Sequence, residues 1–90
     1  MYSITYSPQA QEDLKNLKKT EPSAFAKITK LLDELVDHPT TGTGKPHLLT
    51  GDRSGQWSRR ITQKHRLVYE IIHNEVRVWV VSAYGHYDDK

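Results

Sequence analysis

The sequence predicts an α+β domain of order β-α-α-β-β-β, with an antiparallel C-terminal sheet and a helix hairpin packed on one of its faces. Three observations predict it. Residues 8–37 carry apolar side chains at helical spacing, interrupted once at Thr20-Glu21-Pro22. Residues 56–83 carry three runs rich in β-forming side chains. The 90 residues contain no repeat, low-complexity tract or interdomain linker, so residues 1–90 are read as one domain with a single modest core.

The elements follow in order. Tyr2, Ile4 and Tyr6 alternate with Ser3, Thr5 and Ser7, the period of a strand with one apolar face. Ser7-Pro8 reads as an N-cap followed by a proline at the first helical position, where a missing N–H costs nothing. The first helix covers residues 8–19, with Ala10, Leu14 and Leu17 inward. Glu12 and Asp13 lie toward its start and Lys18 and Lys19 at its end, which suits the helix dipole. The second helix covers residues 21–37, with Phe25, Ile28, Leu31, Leu32 and Leu35 inward, and Pro39 stops it. So short a link predicts an antiparallel hairpin. Residues 40–44 form a loop, residues 46–49 a short extended segment and residues 50–55 a second loop. Strands are expected at 56–62, 66–72 and 76–83, the last two joined by a turn at His73-Asn74-Glu75. Alternation then aims Leu67, Tyr69 and Ile71 at the helices and Arg66 at the opposite, open face.

Composition narrows the chemistry. Without cysteine there is no disulfide and no thiolate ligand or nucleophile, which suits a reducing cytoplasm. No signal-peptide pattern and no apolar run near the roughly 20 residues of a membrane span are visible. Residues 1–44 carry five lysines and six acids, a net charge of −1. Residues 45–66 carry Lys45, Arg53, Arg59, Arg60, Lys64 and Arg66 against Asp52 alone, a net charge of +5. Arginine donates two parallel hydrogen bonds to phosphate, so this half suits a polyanion. A solvated sheet face with surplus charge is the other reading.

Cutting RNA without a metal requires a base for the 2′-hydroxyl, in-line placement, a cation for the phosphoryl charge and an acid for the 5′-oxygen. Histidine serves proton transfer near neutral pH. His47, His65, His73 and His86 lie in the basic half, and none pairs at a convincing metal-ligand spacing, so no metal or cofactor is expected. His38 and His73 sit at a helix end and in a turn. His65, at a strand start, is open to RNA contact or to a structural role. His86, beside Gly85 and Tyr87, is a candidate acid. Tyr84 and Tyr87 are candidates for base stacking, whereas Trp57 is read as core or dimer packing.

The strings Gly44-Lys45-Pro46, Ser54-Gly55-Gln56-Trp57-Ser58-Arg59-Arg60-Ile61-Thr62, His65-Arg66-Leu67-Val68-Tyr69 and Gly85-His86-Tyr87 closely resemble the YoeB/Txe toxins of bacterial toxin–antitoxin systems, within the wider RelE/ParE group. The resemblance spans nearly the whole chain. It implies a RelE-like microbial RNase fold and metal-free cleavage of mRNA in the ribosomal A site. It also implies a YefM/Axe-like antitoxin as partner, with a homodimer open to some members. By that resemblance Arg66 is the transition-state cation, His86 the general acid and Tyr87 its neighbour in the site. Arg59, Arg60 and Lys45 match RNA-contacting positions, and His65 could join them.

One position departs from the pattern. The family usually reads Lys-Pro-Glu, with the glutamate as general base; here the chain reads Lys45-Pro46-His47. His47 either takes over as base or merely fills the place. Tyr84 stands where some relatives carry arginine. Two further functions stay open: a ParE-like gyrase inhibitor without catalysis, and a weakened A-site binder.

Overall fold

The computed structural model describes residues 1–84; Gly85 to Lys90 lie outside the described residues. The strands are β1 (Ser3–Tyr6), β2 (His47–Leu48), β3 (Trp57–Arg60), β4 (Arg66–Ile72) and β5 (Arg77–Ser82), and the helices are α1 (Pro8–Thr20) and α2 (Pro22–Asp37). Five strands form one sheet in the order β1-β5-β4-β3-β2. The β2, β3, β4 and β5 neighbours pair antiparallel. β1 adds to the far edge in parallel with β5, so the whole sheet is mixed. Parallel neighbours need a long crossover, and here everything from α1 to β4 lies between them.

α1 begins where the sequence says, and α2 begins one residue later than expected, at Pro22 with Glu21 as its cap. The Ser7 hydroxyl accepts from the Ala10 amide at 2.9 Å and donates to the Val81 carbonyl at 2.7 Å, so one side chain caps α1 and ties it to β5. Asp13 does not serve the helix dipole as its position suggested. It is buried, and its Oδ2 accepts from the Ala83 amide at 3.0 Å while Oδ1 accepts from Gln9 at 2.8 Å. A carboxylate in that place holds the end of β5 against α1.

Both helices pack on the same face of the sheet. Leu17, Ile28, Leu31 and Leu35 meet Leu67, Tyr69, Val78 and Val80, all fully buried. Each such side chain contributes about 1.5–3 kcal/mol by leaving water. Ile71 and Trp57 are half-buried against that core, in keeping with the packing role read for Trp57. The turn before β5 is a short 3-10 segment, His73–Glu75, closed by Val76 in the left-handed region at φ 51°.

Candidate nucleic-acid interface

Register builds the face opposite the helices. Across the sheet His47 pairs with Ser58 and Ser58 with Val68; one row away Arg60 pairs with Arg66. Side chains two apart on a strand share a face, so His47, Ser58, Arg60, Arg66 and Val68 lie on the same side of the sheet, where His47 and Arg60 are exposed, Arg66 is half-buried, and Ser58 and Val68 are buried. The phase of Arg66 is therefore as expected. Its Nη1 donates to the Thr62 and His65 carbonyls at 3.2 and 3.5 Å, which leans the guanidinium on the turn between β3 and β4. Among the described residues, its Nε and Nη2 make no hydrogen bond. A planar fork held by one edge can present the other to a phosphate.

Arg60 and Lys45 are exposed, as is His47. The His47 Nδ1 lies 3.3 Å from the Lys45 carbonyl. A carbonyl oxygen only accepts, so this contact goes with a proton on Nδ1. Lys45 and His47 arrive on an arm shaped by backbone geometry, whereas Arg60 stands on β3 itself. Gly44 has φ 86° and Lys45 φ 52°, and Pro46 follows. A Cβ at residue 44 would sit 2.8 Å from the Arg60 carbonyl, so glycine is required where the arm meets β3.

Two residues expected at RNA are inside the protein instead. Arg59 is fully buried. Its Nη1 donates to Glu34 Oε1 at 2.9 Å and its Nη2 to the carbonyls of His38 and Thr41, the latter at 2.7 Å. Its Nε donates to the Tyr69 hydroxyl at 3.1 Å, which in turn donates to the Pro39 carbonyl at 2.7 Å. With its donors consumed and no surface exposed, Arg59 has nothing left for a phosphate. The sequence held the signal for this: Arg59 is in phase with Trp57 and Ile61, which face the core.

His65 is also buried, 1% exposed. Its Nε2 lies 2.9 Å from Glu21 Oε2, and its ring stacks against Tyr84 with centroids 4.7 Å apart. It joins the turn between β3 and β4 to the junction of α1 and α2. The hydrogen bond from His65 holds the Glu21 carboxyl below its ordinary range, helped by the charges of His65 and Lys64. Burial raises the Tyr69 phenol above 10, against the pull of Arg59, so its proton is kept for Pro39. Sequence reasoning missed the roles of Glu34, of the Tyr69 hydroxyl and of the Asp13 carboxylate, each of which has a partner distant in the chain.

His86 and Tyr87 lie outside the described residues. Among the described residues no three His, Asp or Glu side chains gather as a metal site, and no helix is long and apolar enough to cross a membrane.

Known proteins match along nearly the whole chain. A family model described as the YoeB-like toxin of bacterial type II toxin–antitoxin systems matches residues 6–87. The chain is 39% identical over 87 residues to Toxin YoeB of Mycobacterium bovis, covering 97% of this chain and 100% of that one. Its fold superposes on a YoeB/ParE toxin from Agrobacterium tumefaciens with a TM-score of 0.89 at 33% identity, covering 94% and 99% of the two chains. It superposes on the toxin in a YoeB–YefM complex from Staphylococcus aureus with a TM-score of 0.82 at 35% identity, covering 97% and 99%. With its order of elements, its register and these likenesses in agreement, the chain belongs to the YoeB-like toxins of bacterial type II toxin–antitoxin systems.

Proposed function

We propose that the chain is a ribosome-dependent endoribonuclease that cuts mRNA in the A site and so stops translation. The observation that carries this reading is the shared open face of His47, Arg60 and Arg66, opposite the helices and unburied by them. His47 takes the proton of the 2′-hydroxyl, whose oxygen attacks the adjacent phosphorus. Arg66 stabilises the charge that builds on the phosphoryl oxygens. The bond to the 5′-oxygen breaks and His86 supplies that oxygen's proton, with Tyr87, the next residue in sequence, proposed to assist. The products are a cyclic 2′,3′-phosphate and a 5′-hydroxyl. No step uses a metal. Lys45 and Arg60 contact the RNA backbone, whereas Arg59 and His65 act as frame.

The Staphylococcus aureus relatives include a YoeB–YefM complex and a YoeB dimer. The same partners are proposed here: an antitoxin whose acidic, partly disordered segment orders over the basic face, and a second copy of the chain.

Primer extension on programmed ribosomes tests the function. Wild type is expected to give stops at the A-site codon that vanish in His86→Ala. His47→Ala is expected to cut about 10²–10⁴-fold more slowly. The wild-type rate should follow a bell-shaped profile across about pH 5–9. A His47→Ala variant cutting at the wild-type rate throughout would remove the base assignment. Intact mRNA together with blocked gyrase supercoiling would replace the proposal with a ParE-like activity. The histidine in place of the family glutamate favours one second reading, an A-site occupant with weakened cleavage; it predicts translation arrest with mRNA left whole.

A further inference from the structure

The arm that brings Lys45 and His47 to the sheet has little of its own to hold it. Its pairing with β3 spans two residues, His47 with Ser58 and Leu48 with Trp57. One backbone bond flanks the pair on each side, Arg60 N to Gly44 O at 2.7 Å and Leu49 N to Gln56 O at 2.8 Å. Strand pairing this short is not stable alone in water. Lys45, moreover, sits in the left-handed region at φ 52°. For a non-glycine residue that conformation persists only where the surroundings fix it.

The surroundings are built from Arg59. Its guanidinium reaches carbonyls at His38, Thr41 and Thr43, three points along the loop that leads from α2 into the arm. Glu34 is the second strut. Its Oε1 accepts from the Thr43 amide at 2.8 Å and from Arg59, and its Oε2 accepts from the Thr43 hydroxyl at 2.7 Å. The loop is shaped to the node: at Gly42, φ 116°, an added Cβ would collide with Glu34 Oε1 and stand 3.2 Å from Arg59 Nη1. Through Tyr69 the same node is tied to β4, the strand that carries Arg66 three residues away.

We infer that Arg59 is a positioning residue: it fixes the 38–44 loop so that the arm seats His47 at a set distance from Arg66 across the open face. This rests on the proposed cleavage reaction for its purpose, but not for its geometry. A base displaced by about 1 Å can cost on the order of 10²-fold in rate, so a mobile arm would not serve the chemistry. Arginine is needed because one rigid fork must reach several carbonyls; lysine is a point donor on a flexible stem.

The test uses the full chain with Arg59→Lys and Thr43→Val. The second removes one strut bond and no charge, so it decides the matter if the first fails to fold. Residue-resolved hydrogen exchange is measured first. The inference expects amides in residues 43–49 to exchange at least about tenfold faster in both variants, with β4 and β5 amides unchanged. Cleavage on programmed ribosomes is measured second. It expects kcat to fall about 10–10²-fold with KM and its salt dependence held. Wild-type exchange in residues 43–49 of the folded variants overturns the inference. So does a raised KM with a shallower salt dependence and unchanged kcat, the signature of a phosphate contact. If wild type itself leaves mRNA uncut, the proposed function fails on that result, and the exchange measurement alone still decides what seats the arm.

Discussion

Arg59 and Arg60 are neighbours in sequence and opposites in structure. Arg59 faces the helices, has no exposed surface and spends its fork on loop carbonyls, Glu34 and Tyr69. Arg60 faces away from the helices, is exposed and pairs in register with Arg66. One residue of strand phase separates a structural cation from a candidate RNA contact. The lesson is that in a basic strand charge does not define the binding face; the pleat does.

The sharpest way to break this contrast is to remove each face's arginine and ask which quantity moves. Arg59→Ala leaves Glu34 and three carbonyls without their donor. It should lower unfolding free energy by about 3–5 kcal/mol, read from urea denaturation. Arg66→Ala should do the reverse. It should leave stability within about 1 kcal/mol and slow cleavage on programmed ribosomes by about 10²–10³-fold. Equal stability losses in the two variants would erase the distinction between the faces.

A smaller effect belongs to the helix side. Hydrogen bonds from the Thr43 hydroxyl and amide, and then the charge of Arg59, hold the Glu34 carboxyl below its ordinary value of 4.5. A carboxyl lowered on folding gives stability that is fully present above the unfolded value and lost as pH falls through the folded one. Wild type should therefore lose stability below about pH 4.5 more steeply than Glu34→Gln, measured by denaturation at stepped pH. Parallel pH dependences would show that Glu34 takes no part in it.

The smallest effect lies far from either arginine. Val76 is β-branched and exposed, yet left-handed at φ 51°. Asparagine tolerates that conformation far better. Val76→Asn should add about 1 kcal/mol, or about 4–8 °C in Tm, without touching cleavage. An unchanged Tm would mean the turn carries no strain worth relieving.

Much of the frame was legible because its signals are local. The period-two pattern of Leu67, Tyr69 and Ile71 named the inner face, and Ser7-Pro8 marked the start of α1. Arg66 followed from the same alternation. The parallel pairing of β1 was not legible, since nothing near Tyr2 or Ile4 says which strand they will join. Arg59 was assigned to RNA because the resemblance pairs it with Arg60 regardless of phase, while of the two roles open to His65 the structural one is what the fold shows. Their partners, Glu34 and Glu21, come from α2 and the junction before it, more than twenty residues away. Asp13 looked like a helix-dipole residue because a one-dimensional pattern cannot show the Ala83 amide beside it.

The strand order carries a consequence for synthesis. β5 lies inside the sheet between β1 and β4, yet among the described strands it is the last to be made. β1 pairs with it across more than seventy residues, and both Ser7 and Asp13 wait for partners at residues 81 and 83. Pairing so distant in sequence is slow to form, because the long loop must close before any contact rewards it. A growing chain therefore holds its basic strands without the sheet that aligns them. Residues as far along as Ala83 must leave the ribosome before the surface proposed to act on ribosomes can exist.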